Sequence, residues 1–244
     1  DLDAGTNITG GAGNRTINAG TGNVVLNDDV TNVGTFGVSG GTVGLQAVTS
    51  TGTQTYTGTT TLNGDLQATA VNSQLVFNGQ TNLGANVALT TNDGLVDFNG
   101  VIAGAGQNLT ITAGADTIDF ADTVTVAALT VESAGSGVDF NGALTTTGNV
   151  AFGNTAAVGN VDFLSGVGST IGGNLTVANG TGNVTQSAGS GLAVTGTSGF
   201  DTTGAVTLGD ASNNLQGAVT VTNGSAVTLN IGTNNLNIAG INTA

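Results

Sequence analysis

Short runs in which two apolar residues flank a polar one return along the whole chain. Val96-Asp97-Phe98, Ile118-Asp119-Phe120, Val138-Asp139-Phe140 and Val161-Asp162-Phe163 are four versions of one triplet, with Leu75-Val76-Phe77 upstream as an all-apolar version. The intervals between successive Phe residues are 98-77 = 21, 120-98 = 22, 140-120 = 20 and 163-140 = 23. The same step forward lands on Val184-Thr185-Gln186, Val206-Thr207-Leu208 and Val227-Thr228-Leu229, and backward on Tyr56 and Phe36. A second family lies about half a period away: Leu109-Thr110-Ile111, Leu129-Thr130-Val131, Leu175-Thr176-Val177, Val219-Thr220-Val221 and Leu236-Asn237-Ile238. Each period therefore holds at least two strands, because this alternation has the period of two of a strand with one buried face. Gly-Asn, Asn-Gly, Gly-Ala and Ser-Gly steps separate the triplets and supply turns. No stretch has the apolar spacing of a helix, so helix content is expected to be close to nil.

Like strands that return about every 21 residues do not suit a meander of hairpins, whose partners alternate in direction. They fit an all-β fold, a right-handed parallel β-helix (β-solenoid) in which each period is one rung and equivalent strands stack about 4.8 Å apart. About eleven rungs make a single domain over residues 1–244, a rod about 50 Å long. Stacking converts the repeat into columns. Phe77, Phe98, Phe120, Phe140 and Phe163 form an inward aromatic column, with Tyr56 and Phe36 continuing it at one end and Leu208 and Leu229 at the other. Gln186 interrupts this column, which predicts an irregularity there. The extra triplet Val150-Ala151-Phe152 belongs on the second strand face.

Composition narrows what such a rod can do. Fifteen acidic side chains face one cation, Arg15, giving a formal charge of -14, while Lys, His, Cys, Met, Trp and Pro are absent. One Arg cannot build the basic stripe that nucleic acid requires, nor attract an anionic membrane surface. Without His or Cys the usual ligands of zinc, haem, copper and iron-sulfur centres are missing, as are thiol, Ser-His and Lys chemistry. A chain free of Cys and Met is also indifferent to the common oxidations, which suits an extracellular setting. Charged residues are only 7% of the chain, and Val, Ile and Thr abound, so an ordered chain is expected. Gly, Thr and Asn interrupt every apolar stretch too often for a membrane helix, and Tyr56 alone cannot form the interfacial girdle of a lipid-facing barrel. Neither end carries a secretion signal pattern, so the chain reads as a processed form or an excised piece.

The most informative polar feature follows from the register. Asp97, Asp119, Asp139 and Asp162 occupy one outward row on four successive rungs, where like charges repel by about 1 kcal/mol per neighbour in water. Such a row is either a solvated acidic face or a ladder bridged by cations, and calcium, which accepts oxygen ligands in flexible geometry, is the cation that suits it. Asp28 with Asp29, and Asp116 with Asp122, are further candidates, although Asp at a turn more often caps it. Residues Ala113 to Phe120 resemble one unit of the calcium-binding nonapeptide repeats, but residues 121 onward do not repeat it. A glycosidase needs two carboxylates at a set separation with aromatic platforms, and a lyase needs a basic residue; the row supplies carboxylate pairs only on a flat solvated face without platforms, and Arg15 near the first rung is the one base, so no catalytic residues are assigned. No phosphate-binding Gly-x-x-x-x-Gly-Lys pattern occurs. The sequons at Asn108 and Asn174 are expected by chance in an Asn- and Thr-rich chain. Thr-x-Thr phrases at Thr51, Thr53, Thr55 and Thr57, at Thr110/Thr112 and at Thr220/Thr222 offer a broken version of the Thr arrays that bind ice.

The Gly/Asn/Thr/Val repeats, as in Asn108-Leu109-Thr110-Ile111-Thr112-Ala113-Gly114, resemble those of bacterial filamentous haemagglutinins and autotransporter passengers. The resemblance covers nearly the whole chain and rests on composition and period. It implies a secreted, cell-surface or matrix β-helical rod, and the absence of a recognisable secretion cap, translocator barrel or adhesive domain makes the chain resemble the shaft. Asp1-Leu2-Asp3 and the residues from Asn237 to Ala244 keep the repeat pattern and present no cap, so strand edges are expected to be open at both ends. The expected function is structural and non-enzymatic: a fibre subunit that self-associates head to tail, or the shaft of a bacterial surface or matrix filament. The competing expectation is an adhesin passenger or binding module for cell-surface or matrix glycans or for ice.

Overall fold

The computed structural model describes residues 2–4, 8–9 and 11–243. All of the regular structure described is strand, 29 segments in one sheet, and the chain winds as a β-solenoid of about 11 turns with a period of about 21 residues. Three strands are made per turn, and each stacks in parallel on its equivalent in the next, so the rod has three faces.

The first face carries the Phe triplets. It starts at Arg15–Asn18, passes through Leu75–Phe77, Val96–Phe98 and Thr117–Phe120, and ends at Ala226–Leu229, parallel throughout. The second runs from Leu2–Ala4 and Asn23–Leu26 through Thr81–Leu83 and Leu144–Thr146 to Asn214–Leu215. The third runs from Ile8–Thr9 and Val30–Val33 through Leu66–Val71, Val87–Asn92 and Leu175–Gly180 to Ile238–Thr243. The triplets at Leu109, Leu129, Leu175 and Val219 all lie on this third face, as does Val150–Phe152, stacked between Leu129 and Leu175.

The second face is the one that the triplet pattern leaves out. Its inward positions include Thr60, Thr81, Thr146 and Ser169, all buried, so the apolar-polar-apolar signature fails there although the strands form.

The core is a set of inward columns. Phe77, Phe98, Phe120, Phe140 and Phe163 stack face to face with ring centroids 4.7–5.4 Å apart and planes within 12° of parallel. Each buried ring contributes about 1.5–3 kcal/mol by leaving water, and each stacked pair about 0.5–1.5 kcal/mol more. Tyr56 extends the stack at 5.4 Å. Its fully buried hydroxyl donates to Gln54 Oε1 at 2.7 Å, and burial pushes the phenol well above its usual pKa.

Phe36 departs from the expected register. It pairs with Gln54, while Val38 pairs with Tyr56. The step from 36 to 54 is 18 residues, three short of the usual period, and the shortened rung displaces Phe36 by two positions. Its ring meets Tyr56 edge-on, centroids 6.3 Å apart at 71°. At the other end, Leu236-Asn237-Ile238 does not stack as a triplet: Ile238 lies opposite Val219, and after a register shift Gly240 and Ile241 lie opposite Thr220 and Val221. The irregularity expected at Gln186 is present. This side chain turns its amide to Ser190 O and to Asn213, where Phe occupies the preceding rung. Of the end residues, Asp1 and Ala244 lie outside the described set, and Leu2–Ala4 is described as strand backbone.

Candidate functional site: the acidic row

On the first face the inward residues of each triplet fix the outward one, because a one-residue slip would expose Phe. The register places Asp97 opposite Asp119, Asp119 opposite Asp139 and Asp139 opposite Asp162, with Val76 before and Thr185 after. All four carboxylates are half-buried among their neighbours. The sequence therefore assembles the row that its repeat predicts.

Three of the four have a donor. Asn99 Nδ2 donates to Asp97 Oδ2 at 2.9 Å and Asn141 Nδ2 to Asp119 Oδ1 at 2.9 Å, while the Thr185 hydroxyl donates to Asp162. Among the described residues no side chain donates to Asp139. The electrostatics follow this pattern. The Asp139 carboxyl is held above its usual pKa by burial and by the charges of Asp162 and Asp119. Burial also raises Asp119, and the Asn141 amide opposes that rise while Asp97 adds to it. The donors Asn99 and Asn141 carried no signal in a chain so rich in Asn.

The row is single file. Among the described residues no group of three or more His, Cys, Asp or Glu is gathered as a metal centre would need. Three turn carboxylates accept backbone N–H groups: Asp29 from Ala47 N on the next rung, and Asp116 from Thr117 N and Asp122 from Thr123 N within their own turns. The segment from Ala113 to Phe120 thus uses its Asp116 as a turn cap.

The openings on the rod are shallow. One of about 350 Å³ lies beside the loop 153–157, with Ala178, Asp201 and Thr203 on its rim. This loop exists because the step from Val138 to Val161 is 23 residues, and 23-21 leaves two to be looped out. Glu132, the one Glu of the chain, anchors it by accepting from Asn154 Nδ2 on both carboxylate oxygens at 3.0 Å. The 23-residue interval between Phe140 and Phe163 was the only sign of it. On the third face the outward row reads Thr110, Thr130, Ala151, Thr176, Gly199, Thr220, so Thr alternates there with smaller residues. Thr55 stands between Gly37 and Val76, which breaks the Thr cluster on the first face. All eight Phe and Tyr56 are buried.

A family model described as repeats of unknown function matches residues 153–222. Part of the chain is thus similar to a known repeat family, in agreement with the solenoid. No curated protein and no solved structure matches the chain with significance. No helix among the described residues is long and apolar enough to cross a membrane.

Proposed function

We propose that this chain is a structural, non-enzymatic section of an extracellular β-solenoid rod, a fibre subunit or filament shaft of a bacterial surface or matrix that extends end to end by strand stacking. The observation that carries the reading is the continuity of the three parallel ladders. Each rung offers the next the same rows of N–H and C=O groups and the same inward columns, so a further rung from a neighbouring molecule or a longer chain docks by the contacts that join rungs internally. The net charge of -14 supports it by opposing uncontrolled lateral bundling. The resemblance to haemagglutinin and autotransporter passenger repeats points the same way.

Negative-stain electron microscopy of the purified chain, with calcium and with chelator, tests the proposal. Long fibres one rod wide are expected. Isolated short rods at all concentrations would overturn end-to-end assembly and leave the shaft of a longer chain as the role.

A second reading, a surface-binding module, draws on the outward Thr row of the third face. Thermal hysteresis of the solution would favour an ice surface, and retention on immobilised polysaccharide a glycan. With all nine aromatic rings buried, a glycan would have to be held without stacking platforms.

A further inference from the structure

One corner of the rod, directly after the aromatic column, repeats an Asn-Gly step: Asn78-Gly79, Asn99-Gly100 and Asn141-Gly142. The stack dictates the glycines. A Cβ on Gly100 would lie 2.8 Å from the backbone of Gly79, and one on Gly142 would lie 2.1 Å from the carbonyl carbon of Asp122. Three further conditions meet here. The Asn side chains are exposed to water. Among the described residues the N–H groups of Gly79, Gly100 and Gly142 donate to no acceptor. Glycine also leaves its amide nitrogen unhindered by a side chain.

We propose that Asn99 and Asn141 are sites of spontaneous deamidation whose products extend the acidic row. The nitrogen of Gly100 attacks Cγ of Asn99, a C–N bond forms, and the bond from Cγ to Nδ2 breaks. Ammonia leaves with the proton of the Gly100 N–H, and the cyclic imide remains. Water then opens the ring at either carbonyl, giving Asp with the backbone unchanged or isoAsp with one more methylene in the main chain. The sum is Asn plus water giving a carboxylic acid plus ammonia, and the same holds for Asn141 and Gly142.

The position gives this reaction its consequence. Each of these amides is the donor to a row carboxylate, Asn99 to Asp97 and Asn141 to Asp119. Conversion replaces a donor by a second negative charge beside the one it served, so the row gains two charges next to carboxylates that have lost their donor. Age is thereby written into the rod as local repulsion on one face. Three other Asn-Gly steps occur, at Asn63, Asn179 and Asn223, and the first two provide internal comparison. Asn63-Gly64 lies at the corner that follows the second face, exposed and away from the row. Asn179 is 1% exposed and both it and Gly180 lie within the strand Leu175–Gly180, so access of water and ring closure are both hindered there.

The test is to age the folded chain in mildly alkaline buffer and map the products by mass spectrometry with an isoaspartate assay. A gain of about one dalton is expected at Asn99 and Asn141 and none at Asn179, with Tm falling as the two sites convert. The variants Asn99→Asp and Asn141→Asp should reproduce the fall, by about 2–4 °C each at neutral pH, and recover it on acidification. Asn63→Asp should leave Tm nearly unchanged. An aged chain that stays intact at Asn99 and Asn141 while the unfolded chain reacts there would overturn the assignment of the sites. Variants that melt like the parent would overturn the coupling to the row.

Discussion

Asp139 stacks in register on Asp119 one rung away, yet only Asp119 has a hydrogen-bond donor, the amide of Asn141. Two carboxylates in the same outward position are thus solvated unequally by the protein. Asp139 is the one whose charge is opposed by burial and by both neighbours.

Acidification is therefore expected to stabilise the chain at first. Asp119 and Asp139 bind their protons more tightly folded than unfolded. Their repulsion is absent at low pH and costs stability as pH rises from the ordinary Asp range through the raised folded values. Asp210 works the other way: hydrogen bonds from Ser212 and Gly189 lower its carboxyl, so its contribution disappears only as pH falls through the lowered value. Tm should pass through a maximum in the mildly acidic range, measured by circular dichroism across pH. A Tm that falls steadily from neutral pH downward would contradict it.

Asp139→Asn removes the central charge and keeps the shape. Each rung-spaced neighbour costs about 1 kcal/mol in a water-like dielectric, and 1 kcal/mol converts to about 2–4 °C of Tm for a chain of this size. The variant should melt higher than the parent at neutral pH, the difference shrinking in high salt and at acidic pH. Equal Tm values at low ionic strength would show that solvent already screens the row.

Calcium should act on the row as ionic strength does. A single file offers one ion two neighbouring carboxylates, whereas calcium takes about six to eight oxygens. Millimolar calcium is expected to raise Tm no further than sodium chloride of equal ionic strength. An excess response to calcium that disappears in the Asp119→Asn, Asp139→Asn double variant would instead make the row a cation site.

The row was legible because the Phe column fixes which way every residue of its triplets points. Phe36 was misplaced by that same logic, since its rung is 18 residues long and the period alone carries no record of local shortening. The second face escaped because Thr60 and Thr81 fill inward positions that alternation expects to be apolar. The loop 153–157 and its Glu132–Asn154 anchor arise from two surplus residues, which a repeat pattern averages away.

Phe120→Ala tests the column at its centre. The ring is fully buried between Phe98 at 5.4 Å and Phe140 at 4.8 Å, and truncation of such a ring costs about 3–5 kcal/mol. Because each rung touches only its neighbours, the damage should stay local. Hydrogen exchange is expected to lose protection in strands near Phe98, Phe120 and Phe140 while strands near Val206 remain protected. Uniform loss along the rod would mean that the chain unfolds as one cooperative unit.

The last rungs hang on a polar hub in place of the column. Asn213, fully buried, exchanges amide hydrogen bonds with Gln186 in both directions, accepts from Leu192 N and donates to Leu208 O and Asn230 O. Replacing Gln186 by Leu leaves Asn213 with three backbone partners, and although Ser190 O and Asp210 N lose theirs, the new side chain fills the column position after Phe163. Replacing Asn213 by Leu strips Leu192 N and Asn230 O of their partner, while Gln186 keeps Ser190 O and Asp210 N and Leu208 O keeps Asn230 N; each buried unsatisfied group costs about 1–3 kcal/mol. Asn213→Leu should therefore destabilise the chain more than Gln186→Leu, with early proteolysis after Leu208 as the visible sign. Similar Tm losses for the two variants would show that the hub is held by Gln186 and that Asn213 merely follows it.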